Sequence, residues 1–252
     1  MTEIKNPISP DKFDAVLFDL DGVITDTARM HAACWKVMFN TYLKRRTEES
    51  GGEFIPFEIG TDYLEYVDGK PRYDGVRDFL ASRNIALDEG TPDSPATEES
   101  ICGLGNRKNE LVNLRIQMHA VKVYQSSIDF VNNVILNGIK TAIVSSSANS
   151  RTVLESADII GLFPVIVDGL TAQEKKLGGK PSPDMFLEAA KELGVQPEKC
   201  VVVEDAISGV QAGSSGNFGL VIGIARKDNY EELKGNGADI VIGDLGEITL
   251  NN

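Results

Sequence analysis

Two aspartates, Asp19 and Asp21, stand two positions apart just after the apolar run Ala15 to Phe18 in FDAVLFDLDGVITDT. A short apolar run bounded by a turn residue, here Gly22, reads as a strand buried on both faces. Residues i and i+2 of a strand point the same way, so both carboxylates face one side. At the end of a buried strand they would be costly to desolvate and would repel each other. A hard divalent cation relieves both problems, and Mg²⁺ favours one or two carboxylates completed by waters and phosphate oxygens. Asp19 can then serve as nucleophile or metal ligand and Asp21 as proton carrier. The same residues also fit a solvated turn, because DxD and DG are common there. Other groups must decide.

Three further polar clusters fall at positions where strands should end. Ser145-Ser146-Ser147 follows Ile139 to Val144, Lys180 lies on the loop GGKPSP, and Glu204-Asp205 follows Val201-Val202-Val203. Taken singly, the serines could be a capping run and Lys180 a surface lysine. In a parallel sheet, however, strand ends share one edge, where ligands bind. Four clusters on that edge are hard to ascribe to chance. A carboxylate nucleophile, Mg²⁺, a lysine and hydroxyls make a set for phosphoryl transfer. Asp19 would attack phosphorus and form an aspartyl-phosphate. Asp19, Asp205 and the backbone carbonyl of Asp21 would hold the metal. Lys180, with the hydroxyl and backbone N–H groups at Ser145 and Ser146, would hold the phosphoryl oxygens. Asp21 would protonate the leaving oxygen and deprotonate the incoming one.

The elements that must position these groups follow from periodicity. From Ser127 onward strands and helices alternate: helix Ile128 to Leu136, strand Ile139 to Val144, helix Ser150 to Ala157, strand Val165 to Val167, helix Asp184 to Leu193 opened by Ser182-Pro183, strand Cys200 to Val203, a helix from Ser208, then strands Leu220 to Ile224 and Asp239 to Ile242. That order predicts an α/β fold with a doubly wound parallel sheet and right-handed crossovers. Residues 28–120 break the rhythm and read as an inserted α-helical cap, leaving 1–27 and 121–252 as the core. Within the insert, a helix from Ala28 to about Lys44 carries an apolar face of Met30, Ala33, Cys34, Val37, Met38 and Phe39, with Trp35 beside it and His31 in the first turn. Gly69 to Gly75, GKPRYDG, reads as a loop presenting Arg72. Residues 88–103 read as loop. A helix from Asn106 to Val121 places Arg107 and Lys108 near its start, where the macrodipole favours anions; this marks Lys108 as an anion binder. His119 reads as surface.

Composition narrows the classes. The chain has 252 residues, 42% hydrophobic and 25% charged, as globular proteins do, with a net charge of −13. An acidic surface disfavours nucleic acid and anionic membranes as partners. An anionic substrate would need a local cation. Cys34, Cys102 and Cys200 have no CxxC spacing, which predicts reduced thiols and a cytoplasmic setting. No apolar run approaches a membrane span. MTEIKNPISPDK is polar and reads as a loose leader, not a signal peptide.

FDLDGVITDT, IVSSSAN, GGKPSPDMF and VVVEDAISGV, in this order, resemble the haloacid dehalogenase superfamily of phosphotransferases. The resemblance implies a flavodoxin/Rossmann-like core with a helical cap inserted after the first strand. It implies Asp19 as nucleophile, Asp21 as acid/base, Ser145 and Lys180 as phosphate binders, and Glu204 and Asp205 as metal-site acids. DGVITDTARMHAACWK, GKPRYDG and GNRKNE are similar to the β-phosphoglucomutase subfamily. That similarity implies His31 beside the acid/base, Arg72 on the non-transferring phosphate, and Lys108 and Asn109 at the substrate. The sequence departs from the subfamily pattern in the extra loop 88–103 and in Ala148, where a lysine is usual. The expected function is conversion of β-D-glucose 1-phosphate to glucose 6-phosphate by a monomer. A phosphatase acting on a small sugar phosphate is the alternative, and a non-catalytic phosphate-binding protein a third. The segments near Thr27 and Ala120 are the expected hinges.

Overall fold

The valine-rich segments form a parallel sheet because both of their faces are covered. A computed structural model describes residues 4–5, 7–226 and 228–250. The chain divides into two compact units, Met1–Asp26 with Val121–Asn252, and Thr27–Ala120.

The first unit opens with β1 (Ile4–Lys5) and β2 (Ala15–Phe18). The second contains α1 (Ala28–Ser50), a π-helical turn (Ile59–Tyr63), α2 (Leu64–Tyr66), α3 (Arg72–Ser82) and α4 (Ile101–Met118). The first unit then resumes with α5 (Gln125–Leu136), β3 (Lys140–Val144), α6 (Ser150–Ser156), β4 (Val165–Val167), α7 (Gly169–Lys175), α8 (Asp184–Leu193), β5 (Cys200–Glu204), α9 (Ile207–Ser215), β6 (Leu220–Ile224), α10 (Tyr230–Gly235), β7 (Ile240–Ile242) and β8 (Ile248–Thr249). Among the described residues, six strands form one parallel sheet in the order β4-β3-β2-β5-β6-β7. The result is a doubly wound α/β fold with flanking helices.

Central β2 pairs with β3 on one side and β5 on the other, with Phe18 opposite both Ile143 and Val203. Successive strands depart in opposite directions from β2, so the crevice beyond its carboxyl end is a topological switch point. Every residue of β2 and β5 is buried. One face of the sheet packs on Met185, Phe186, Ala189 and Ala190 of α8. Past the carboxyl end of β2 the segments leaving and re-entering this unit are tied together: Thr25 bridges Val123, and Asp26 N donates to Lys122 O at 2.9 Å. The expected loose leader lies partly on residues 1–3 and 6, outside the described ones; Ile4 and Lys5 pair in parallel with Ile248 and Thr249.

The helical unit has its own core, built on Trp35, Phe39, Phe57 and Phe79, whose rings sit 4.2–5.3 Å apart. The structure corrects several sequence expectations here. α1 runs on to Ser50, because no residue before Gly51 (φ +74°) breaks it. Its buried face is His31, Ala32, Cys34, Trp35, Met38, Phe39, Tyr42 and Leu43, leaving Val37 exposed. Arg72 starts α3 instead of lying on a loop. α4 begins at Ile101, five residues before the expected start, with Ser100 Oγ accepting from Gly103 N at 3.0 Å. Lys108 therefore lies two turns inside the helix, and the macrodipole argument for it fails. No helix among the described residues is long and apolar enough to cross a membrane.

Candidate active site

The ends of β2, β3 and β5 each deliver part of the site, whereas Lys180 comes from the loop between α7 and α8 and not, as expected, from a strand end. Asp19 follows β2, and its amide donates to Val203 O at 2.9 Å, continuing the ladder to β5. Glu204 is the last residue of β5 and Asp205 follows it; all three side chains are buried. One carboxylate oxygen from each of Asp19, Glu204 and Asp205 lies within 4.8 Å of the others. Lys180 reaches this group from the loop before α8, and its ammonium is almost wholly enclosed. Lys180 Nζ lies 2.6 Å from Asp19 Oδ1 and 2.5 Å from Glu204 Oε1, and donates to Val144 O at 3.0 Å. Glu204 Oε2 accepts from the amides of Asp205 and Ala206 at 3.0 and 3.1 Å. Three carboxylates around one ammonium leave a buried, net-negative, all-oxygen donor set, which suits a hard divalent cation.

The neighbouring backbone makes room for these groups. Gly22 sits at φ +98°, and a Cβ there would lie 2.2 Å from Asp205 Oδ2. A Cβ on Gly209, inside α9, would lie 1.9 Å from Glu204 Oε1. In the sequence Gly22 reads only as a turn residue and Gly209 is not singled out; the signal at Gly209 is a glycine in a helix interior four residues after Asp205, where alanine would favour the helix. Arg226 was also missed, although it follows β6 at the same sheet edge. Its Nε donates to Gly22 O at 2.9 Å, its Nη1 to Asp244 Oδ2 at 2.7 Å, and its guanidinium lies 3.8 Å from the Tyr124 ring centroid. It thus braces the turn that follows Asp21.

Of the other core residues, Asp21 is half-buried and forms a backbone bridge with Thr25. Its carboxylate is not one of the three clustered acids. Ser145 is buried, but its backbone N–H already donates to Val167 O at 3.0 Å. This removes the amide of Ser145 from the expected phosphate donors and leaves its hydroxyl, which accepts from Ser147 N at 3.2 Å. Ser146 is half-buried in the following turn.

In the helical unit, Lys108 and His31 are brought together inside the fold. Lys108 Nζ lies 3.0 Å from His31 Nδ1 and 5.1 Å from the Trp35 ring centroid. Burial and the Lys108 charge hold the His31 pKa well below its usual range, so the ring is neutral and Nδ1 accepts. Arg72 and Asn109 are half-buried on α3 and α4. His119 is exposed.

The family model described as haloacid dehalogenase-like hydrolase matches residues 13–217. The chain belongs to the haloacid dehalogenase superfamily. Within it, the chain is β-phosphoglucomutase-like. It is 46% identical over 242 residues to a β-phosphoglucomutase of Mycobacterium bovis, covering 95% of this chain and 92% of that one. It is 32% identical over 238 residues to a β-phosphoglucomutase of Bacillus subtilis, covering 94% and 92%. The solved β-phosphoglucomutase from Clostridium difficile superposes with a TM-score of 0.69 at 27% identity, covering 93% of this chain and 92% of that one. This haloacid dehalogenase family member is therefore an enzyme of the phosphotransferase and isomerase kind.

Electrostatics of the buried acids give a pH signature. Burial pushes the Glu204 carboxyl up to about 7 against the pull of Lys180, with the Asp19 charge adding to the rise. For Lys180, burial disfavours the charge, but Asp19 and Glu204 outweigh it and hold the ammonium above its ordinary range. Between its usual 4.5 and about 7, the folded protein keeps a proton on Glu204 that the unfolded chain releases. The stability tied to Glu204 is therefore complete below that window and is lost as pH rises through it. Urea unfolding in EDTA should show metal-free wild type losing stability relative to Glu204→Gln between about pH 5 and about pH 7. A parallel pH dependence of the two proteins would refute the raised Glu204 pKa.

Proposed function

We propose that this enzyme is a magnesium-dependent phosphosugar mutase of the β-phosphoglucomutase type. It converts β-D-glucose 1-phosphate to glucose 6-phosphate through an aspartyl-phosphate and glucose 1,6-bisphosphate. The observation that carries the reading is the presence of two separate sets of cationic groups. Lys180 lies among the core acids, while Arg72 and Lys108 belong to the helical unit, which in this reading is the cap. A bisphosphate intermediate has two anionic ends, and a plain phosphatase has no need of the second set.

Asp19, carrying the phosphoryl group, gives it to the 6-hydroxyl of the sugar: the new O–P bond forms as the aspartyl bond breaks, and Asp21 takes the hydroxyl proton. The resulting bisphosphate then presents its 1-phosphate. Asp19 attacks that phosphorus, the bond to O1 breaks, and Asp21 returns its proton to O1 as glucose 6-phosphate leaves. Lys180, the Ser145 hydroxyl and Ser146 hold the phosphoryl oxygens, replacing water with groups already in place. Mg²⁺, held by Asp19, Glu204, Asp205 and the Asp21 carbonyl, would supply positive charge to those oxygens. His31, Arg72, Lys108 and Asn109 hold the sugar and its second phosphate.

With Mg²⁺ and a trace of glucose 1,6-bisphosphate, β-glucose 1-phosphate should yield glucose 6-phosphate and little free phosphate. Free phosphate as the main product would replace the mutase reading with a sugar-phosphate phosphatase. Arg72→Ala should lower kcat/KM by more than about tenfold, since a hydrogen bond to a charged group contributes roughly 1.5–3 kcal/mol. Near-normal kinetics would take Arg72 out of the site.

A further inference from the structure

The extra segment between α3 and α4 is tied to Arg72 by a directed chain of hydrogen bonds. Asn106 Nδ2 donates to Pro92 O and Ser94 O at 3.0 and 2.8 Å. With both amide hydrogens used, Asn106 Oδ1 must accept, and it does so from Tyr73 Oη at 2.9 Å. The Tyr73 oxygen is then left as acceptor for Arg72 Nη2, also at 2.9 Å. The guanidinium also lies against the Tyr73 ring, 4.7 Å from its centroid. Gly105 allows this approach: a Cβ there would lie 2.7 Å from Tyr73 Cδ1.

The segment that anchors Asn106 is itself braced. Ser94 Oγ accepts from Thr91 N at 3.0 Å and donates to Glu98 Oε1 at 2.9 Å, and Arg107 Nε donates to Ala96 O at 2.7 Å. Ile101 N and Cys102 N return to Asp88 O and Glu89 O, both at 3.0 Å. At the far end of the chain, Arg72 Nε is enclosed and has no hydrogen-bond acceptor among the described residues. A buried donor without an acceptor is costly unless a ligand completes it.

We propose that Tyr73 and Asn106 are positioning residues that preset the Arg72 guanidinium for a phosphomonoester, with residues 91–98 as their brace. The proposal rests on the reading of Arg72 as a phosphate ligand. Its consequence is selectivity: the brace favours substrates whose own phosphate lies apart from the phosphoryl group being transferred over phosphoryl donors that carry no other phosphate. A guanidinium already fixed loses less freedom on binding, so the gain falls on the substrate that reaches it.

The test compares two reactions of the intact protein: conversion of β-glucose 1-phosphate, and hydrolysis of acetyl phosphate, a donor with no distal group. Tyr73→Phe keeps the ring and removes only the hydroxyl. The ratio of the two kcat/KM values should fall about tenfold in favour of acetyl phosphate, and Asn106→Ala should do the same. Tyr73→Phe added to Arg72→Ala should cost nothing more, because both act through one group. A defective Arg72→Ala beside a Tyr73→Phe with the wild-type ratio would overturn the positioning role while sparing the phosphate ligand. An Arg72→Ala variant with the wild-type ratio would overturn both. Equal losses on both donors would show a general structural defect and also refute the proposal.

Discussion

Lys180→Met is expected to destabilise the metal-free protein by about 3–5 kcal/mol, the range for removing one partner from a buried ion pair. The lysine ammonium contacts both Asp19 and Glu204, at 2.6 and 2.5 Å. Methionine fills most of its volume, so the loss is electrostatic and not a cavity effect. At roughly 2–4 °C per kcal/mol for a chain of this size, the midpoint in EDTA should drop by about 10 °C. The drop should grow with pH: without the ammonium, Glu204 keeps its proton more strongly, and forcing it off costs more. Mg²⁺ should raise the variant's midpoint more than the wild type's, because a cation returns to the acids. Phosphoryl transfer should still fall about 10²–10³-fold, the loss seen when one preorganised donor to developing charge is removed. A midpoint within experimental error of wild type in EDTA would mean that the acids do not depend on Lys180.

How far the sequence revealed this site depended on the range of the forces involved. The strands were legible because Val201-Val202-Val203 and Ala15 to Phe18 are buried on both faces, which leaves an unbroken apolar run. Asp19, Glu204 and Asp205 were legible because acids at the end of such a run need partners, and the structure places their oxygens together. The helical unit was less legible. Its helices are short or polar, and the position of Arg72 at the start of α3 depends on Pro71 and on contacts with α4, not on local periodicity. The amide of Ser145 looked available because the pairing that occupies it, to Val167 on β4, is invisible in a linear reading. The carboxylates that crowd Gly22 and Gly209 are legible only in three dimensions, since each belongs to a residue far away in the chain or on the preceding strand.

Asp19→Asn should separate activity from stability at the same point. Asparagine keeps the shape of the side chain and an oxygen that can accept from Lys180 Nζ, but it cannot form a carboxyl-phosphate. Turnover of β-glucose 1-phosphate should fall by about 10⁴-fold or more, the scale for loss of a nucleophile. The mass of the intact protein should not rise after mixing with acetyl phosphate; phosphorylation at the wild-type level would rule out Asp19 as the nucleophile. Stability in EDTA should move the other way from Lys180→Met. The change removes one negative charge from a buried group with three carboxylates and one ammonium, so the midpoint should hold or rise. The stabilisation gained from Mg²⁺ should shrink, because one ligand charge is gone. Opposite shifts from removing a cation and removing an anion follow only if the buried group is net negative. Such a group is destabilised without a compensating cation, which in the proposed function is the magnesium that accompanies the phosphoryl group.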